Sequence, residues 1–333
     1  MTRVANGAVL AVDLGGTNVK CAVVDAVGAV KWAGRHPTGR ERGVSAVVST
    51  VLEVLVSLRE RAVAAGYVPR AAGVAVPGLV DSSAGVALWS VNVGWRDLPL
   101  RRLVEARLGI PAVLANDVRA GGLAEARATG SDDVLFVPIG TGIASAHVRG
   151  GDVVTGARGA AGELGHVIVR PGGRKCGCGR RGCLEAEASA SAIEARYAEA
   201  AAAAATAGGT GGAAGAGGTV GVAGATGAAG GVGAVTAADV AGLVAAGEPV
   251  ATAVWGAAVE ALADGLLSAA ALLDPQVIVV GGGLARAGDT LFTPLRAALA
   301  DRSSFLPTPR VVPAVLGDEA GCHGAALLAR ALL

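Results

Sequence analysis

The chain carries almost no net charge: 28 Lys and Arg stand against 27 Asp and Glu, leaving +1 over 333 residues. That balance excludes the broad basic surface that draws in nucleic acid or an anionic membrane, and it points to a small ligand. An apolar leader is also lacking. Met1 to Gly7 holds no long hydrophobic run with a small-residue cleavage site behind it, and Val9–Val12 already reads as a folded strand. Nor is there an unbroken membrane span of about 20 residues, because the most apolar stretch, Leu262 to Val280, is interrupted by Asp264, Asp274 and Pro275. Cysteine is scarce: of five, Cys176, Cys178 and Cys183 crowd into eight positions, too close together to staple a secreted domain. These shortages predict a cytoplasmic chain in which a metal site, and not a disulfide framework, occupies that cluster. Cys21 and Cys322 lie in apolar runs and read as small buried hydrophobes.

A chain of this length supports two ordinary domains. Val9–Val12, Val19–Val24 and Ala29–Ala33 are short β-type runs separated by Gly/Thr and Asp/Gly turns, a meander of hairpins. A helix follows over Val44 to Ala65, with Val47, Val51, Leu55 and Leu58 on one face, and Ala72–Val76 resumes as a strand. The same grammar recurs later: Val134–Pro138, the turn Gly140-Thr141-Gly142, then Ile143–Val148 as a return strand. The pattern therefore predicts two related halves. Ala251–Leu273, Leu291–Leu299 and Ala320–Leu332 read as helices and Gln276–Val280 as a buried strand, the last helix packing back on the first half. Strands interleaved with helices in this order give an α/β fold of two lobes around a cleft. Between Glu199 and Asp239 there is no charged residue, and Ala, Gly, Thr and Val follow no sustained period. Residues 200–235 are expected to form a flexible insert, its Ala-rich start extending the preceding helix.

Asp13-Leu14-Gly15-Gly16-Thr17 sits between two strands, where glycines let backbone N–H groups approach a phosphate and Asp13 can hold Mg²⁺; an ordinary hairpin turn reads the same way. Gly140, Thr141 and Gly142 form the matching turn of the second half. Gly281-Gly282-Gly283 follows a buried strand and offers a flat site for adenosine, or a plain β–α turn. Asn116-Asp117 opens a helix, so Asp117 is either part of a cap or a general base, with Asn116 beside it. Asp117 is expected to stay ionised at the helix N-terminus. Gly162-Glu163-Leu164-Gly165-His166 followed by Cys176-Gly177-Cys178 and Cys183-Leu184-Glu185 carries the strongest signal: one histidine and three cysteines make a complete tetrahedral zinc set, closed to water and therefore structural, with a redox thiol cluster as the alternative. Arg174, Lys175, Arg180 and Arg181 would favour thiolate there. Zinc would fix Glu163, His166 and Glu185 together. Gly78 and Asn92 complete the candidates, and Trp89 and Trp95 read as core or cleft wall before stacking surface.

Taken together these residues resemble the ROK family (repressor, open reading frame, kinase), and within it the bacterial glucokinases, over nearly the whole chain outside the Ala/Gly segment. The resemblance implies an actin-like, hexokinase-type (ribonuclease H-like) duplicated α/β fold, with lobes at 1–118 plus 312–333 and at 119–311. It implies ATP and Mg²⁺ at Asp13, Gly15, Gly16, Thr17, Gly140, Thr141, Gly142, Gly281, Gly282 and Gly283. It implies hexose contacts from Gly78, Asn92, Asn116, Glu163, His166 and Glu185, Asp117 as catalytic base, and structural Zn²⁺ on His166, Cys176, Cys178 and Cys183. A homodimer or homotetramer is expected. Glucose is the expected acceptor, with N-acetylmannosamine, N-acetylglucosamine, allose or fructose as alternatives and polyphosphate as an alternative donor. The family also contains repressors; with twelve residues before Asp13 a kinase is expected in preference to a regulator, the alternative being a sugar-sensing regulator that lacks its own DNA-binding domain. Limited proteolysis is expected to cut first between Ala207 and Val235; cleavage beginning elsewhere contradicts the expectation of a flexible insert.

Overall fold

The computed structural model describes residues 6–208, 235–303, 305 and 307–333. The chain opens with an antiparallel meander, β1 (Gly7–Leu14), β2 (Asn18–Asp25) and β3 (Val30–Pro37). Helix α1 (Val44–Ala64) returns it to β4 (Val68–Val76), parallel to β1. A small sheet follows, β5 (Leu79–Asp81), β6 (Val86–Trp89) and β7 (Arg96–Leu98), then α2 (Leu100–Leu108), β8 (Ala112–Asn116) and α3 (Asp117–Thr129). The first large sheet runs β3-β2-β1-β4-β8. Its centre, β1, is buried at all eight residues, as the apolar run Ala8–Val12 requires, with Asp13 buried at its end, whereas β3 alternates at the edge.

The second half repeats this plan. Its meander is β9 (Asp133–Pro138), β10 (Ala146–Arg149) and β11 (Asp152–Val153). Helices α4 (Leu184–Ala188), α5 (Ala190–Gly208), α6 (Ala237–Ala245) and α7 (Pro249–Leu273) precede β12 (Val277–Gly281), α8 (Asp289–Arg302), β13 (Val311–Pro313) and α9 (Ala320–Arg330). The sheet order is β11-β10-β9-β12-β13, with two antiparallel pairings followed by two parallel ones, as in the first sheet. The duplication expected from the pattern of turns is therefore present in the topology. The return strand is shorter than expected: Ile143 makes only an isolated bridge to Ile139 before β10 begins. The Ala-rich start of the expected insert is helical through Gly208, and residues 209–234 lie outside the described residues.

Among the described residues one helix, α7, is long and apolar enough to cross a membrane, at 25 residues with a mean hydropathy of 1.5 in its most apolar window. Its Val254, Trp255, Leu262 and Leu266 are instead buried in the core of the second half. Its Asp264 pairs with Arg170 at 2.5 Å and Arg302 at 3.0 Å. The helix ends at Leu273, Asp274 takes a left-handed turn, and the chain continues as β12.

After β13 the chain crosses back, and α9 lies on β1, β4 and α3. Glu125 of α3, fully buried, secures the crossing by accepting the N–H groups of Val315, Leu316 and Gly317 at 2.8, 2.8 and 3.1 Å. Helices α3 and α9 meet backbone to backbone: a Cβ at Gly324 would stand 1.9 Å from the carbonyl oxygen of Ala120. Gly324→Ala is expected to force the helices apart and to destabilise the protein by about 1–3 kcal/mol, measured by chemical denaturation; an unchanged midpoint contradicts this packing.

Candidate active site

Strands β1, β4 and β8 are parallel neighbours, so their C-terminal ends gather at one edge, where α3 begins. Asn116 caps that helix, its side-chain oxygen accepting from Arg119 N–H at 3.0 Å. The Asn116 amide donates at 3.0 Å both to the Gly78 carbonyl and to Asp117 Oδ1, which also accepts from Val118 N–H at 2.9 Å. Gly78 stands at φ 97°, a conformation that favours glycine, and so presents its carbonyl to Asn116. Burial pushes the Asp117 carboxyl upward, against the lowering pull of its hydrogen bonds. Desolvation therefore works against the donors of the helix N-terminus, on which the expectation of an ionised Asp117 rested.

Asp13, at the end of β1, is buried beneath the first turn of α9, where Gly321 leaves room for its carboxyl. Burial raises its pKa to about 6; Lys20, 3.5 Å away on β2, opposes the rise, and the charge of Asp117 adds to it. The adjoining turn is held internally, Gly15 N–H donating to the Asn18 carbonyl at 2.9 Å and the Thr38 hydroxyl to the Gly15 carbonyl at 2.7 Å. Gly15 N–H is therefore committed to the hairpin, which leaves Gly16 and Thr17 as the donors of that turn. The second turn behaves alike: Gly140 N–H donates to the Gly142 carbonyl at 2.9 Å, while Thr141 is exposed. Gly281 joins this turn to β12, its carbonyl accepting from Ile139 N–H at 2.9 Å. Gly282 turns the chain, and Gly283 lines a pocket of about 330 Å³ with Ala190, Glu194, Thr236, Ala241 and Arg286. Sequence reasoning missed Thr38, Glu194 and Thr236, which reach these turns only through the fold.

The His166, Cys176, Cys178 and Cys183 ligand atoms all lie within 4.8 Å of one another. Cys178 and Cys183 sulfurs are 3.7 Å apart, as are Cys176 Sγ and His166 Nδ1. A disulfide needs about 2.05 Å, whereas two thiolates about 2.3 Å from a tetrahedral zinc stand about 3.8 Å apart, so the residues fit that ion. The Arg180 N–H and guanidinium lower the Cys178 thiol to about 6, and burial raises Cys183. Arg180 acts as expected. Arg174 instead forks onto Glu199 at 2.7 and 2.8 Å, and Arg181 donates to the Gly173 carbonyl. His166 turns Nδ1 to the thiols and Nε2 toward Glu163, 3.9 Å away. Glu185 accepts from Ile143 N–H at 3.0 Å and lies 4.0 Å from Cys176 Sγ, tying the cysteine loop to the 140–142 turn. Asn92 is exposed in the turn after β6; Trp95 is buried in the first core and Trp89 is half exposed.

Two halves of one topology, packed through α3 and α9, define the actin-like, hexokinase-type fold. The chain belongs to the ROK family, whose sequence pattern matches residues 9–332. It is 31% identical to a glucokinase of Thermotoga maritima over 95% of both chains. It is also 31% identical to a kanosamine kinase of Amycolatopsis mediterranei, over 96% of this chain and 95% of that one. The crystal structure of a ROK family glucokinase from Streptomyces griseus in complex with glucose and AMPPNP superposes with a TM-score of 0.76 at 30% identity, over 98% of this chain and all of that one. Metal analysis of the purified protein is expected to find about one zinc per chain, and Cys178→Ser to lose it; a metal-free, fully active protein contradicts the assignment.

Proposed function

We propose that this chain transfers the γ-phosphoryl group of ATP to the 6-hydroxyl of a hexose, with glucose as the acceptor and Asp117 as general base. The observation that carries the reading is the setting of Asp117 at the start of α3, desolvated and held through Oδ1 by Asn116 and Val118 N–H. Oδ2 is then the oxygen available to take the hydroxyl proton as the sugar oxygen bonds to the γ-phosphorus, the β–γ bridging bond breaks and ADP leaves. A carboxyl raised by burial accepts a proton more readily than an exposed one, provided it is ionised at the working pH.

In this reading Gly78, Asn92, Asn116, Glu163, His166 Nε2 and Glu185 orient the sugar. Gly16, Thr17, Thr141 and Gly142 face the phosphates, and the pocket beside Gly283 takes adenosine. Asp13, desolvated and near a second carboxylate, is suited to a divalent cation; Mg²⁺, when bound, neutralises charge on the phosphates. His166 Nδ1 and the three thiolates would hold a zinc with no open position, which supplies rigidity and no Lewis-acid chemistry. The lobes 1–118 with 312–333 and 119–311 would close around both substrates and exclude water. The five free cysteines support a cytoplasmic setting, and a homo-oligomer belongs to the same proposal. Likeness to the kanosamine kinase keeps a second reading, a different hexose acceptor for the same chemistry.

In a coupled assay of ADP release over a panel of sugars, Asp117→Ala is expected to lower kcat by about 10²–10⁴ with sugar binding retained. Near-normal turnover refutes the role. The acid limb of kcat/KM should lie above 3.8, the ordinary Asp value, because activity requires the ionised form and burial raises the pKa; a limb at or below that value contradicts the desolvated base.

A further inference from the structure

Arg119 belongs to none of the motifs, yet it sits in the helical turn that carries Asp117 and reaches across to the loop that leads into Glu163. Its backbone N–H is taken by the Asn116 cap, which fixes its Cα relative to the base. Its guanidinium Nη2 donates to the carbonyls of Gly159 and Ala161 at 2.6 and 3.1 Å. Among the described residues it has no carboxylate within salt-bridge distance, although the charge of Glu163 is near enough to offset part of its desolvation. The far end of the same loop is pinned by Ser145, whose N–H and hydroxyl both donate to the Gly162 carbonyl, at 2.8 and 3.0 Å. Residues 159–162 are thus held by hydrogen bonds from two sides, Arg119 and Ser145, and of these two tethers the one that starts on the helix of the base is Arg119.

On the reading proposed above, we infer that Arg119 is a positioning residue that fixes Glu163, a sugar-orienting carboxylate, against Asp117, the proton acceptor. A partly buried guanidinium gives two charge-assisted bonds to backbone, so its loss frees the loop and leaves two carbonyls without donors. The expected signature is selective. On that reading Glu163 faces the acceptor, while the turns at 15–17 and 140–142 are held by bonds from Thr38, Ala190 and Ser191 that do not involve Arg119, so the acceptor side should weaken and the ATP side should not.

The test compares Arg119→Ala and Arg119→Lys with the parent, measuring KM for hexose and for ATP, and hydrogen exchange over 156–166 without substrate. Arg119→Ala should raise KM for hexose about tenfold or more, with KM for ATP within about twofold, and should speed exchange in 156–166 while β1 stays protected. Arg119→Lys, which keeps a charged donor, should recover part of both effects. Equal weakening of the two substrates, or unchanged exchange at 156–166, overturns the inference. If the parent turns over no hexose, the proposed function fails on its own, and the exchange comparison still decides whether Arg119 holds the loop.

Discussion

The contact on which the rest depends is the backbone approach of α9 to α3 at Gly324 and Ala120. Each helix belongs to both halves: α3 leaves the edge of the first sheet and packs on β9 and β10, while α9 arrives from the second sheet and covers β1 and β4. Their first turns consequently meet the ends of the first sheet, with Asp117 on one helix and Asp13 beneath the other. Buried Glu125 holds the crossing chain by three backbone donors, so the register of α9 against α3 is fixed by hydrogen bonds as well as by packing. Two acidic groups that share one desolvated edge are a product of this helix pair, and the proposed chemistry rests on that setting.

The cysteine loop makes the other wall of the site. His166 divides its two ring nitrogens, one toward the thiols and one toward Glu163, so a metal that fixes the first also fixes the second. Glu185 extends the same rigidity to the 140–142 turn through Ile143 N–H. The cysteine cluster, Glu185 and the 140–142 turn are thereby joined over a few residues.

Much of this was legible in the sequence. The hairpin, helix and strand pattern of each half announced the duplication, because periods of two and 3.6 differ wherever a sheet and a helix alternate. The clustering of His166, Cys176, Cys178 and Cys183 and the place of Asn116-Asp117 at a helix start were visible because they lie in short, unusual strings. What escaped was long-range: Thr38 bracing Gly15, Lys20 reaching the Asp318 carbonyl, and Arg119 reaching residues 159 and 161. Each joins segments whose separation carries no local signal. The upward shift of Asp117 escaped for a related reason, since the helix N-terminus is written in sequence and the burial around it is not. The small sheet β5-β6-β7 was passed over because three- and four-residue strands are too short to show a period.

The most direct test of the account is a crystal structure with a hexose and a non-hydrolysable ATP analogue bound together. It should place the C6 hydroxyl oxygen about 2.6–3.2 Å from Asp117, in line with the γ-phosphorus, with His166 Nε2 and Glu163 on the sugar. A sugar seated with that hydroxyl out of reach of Asp117, or on the far side of the cysteine loop, would contradict it.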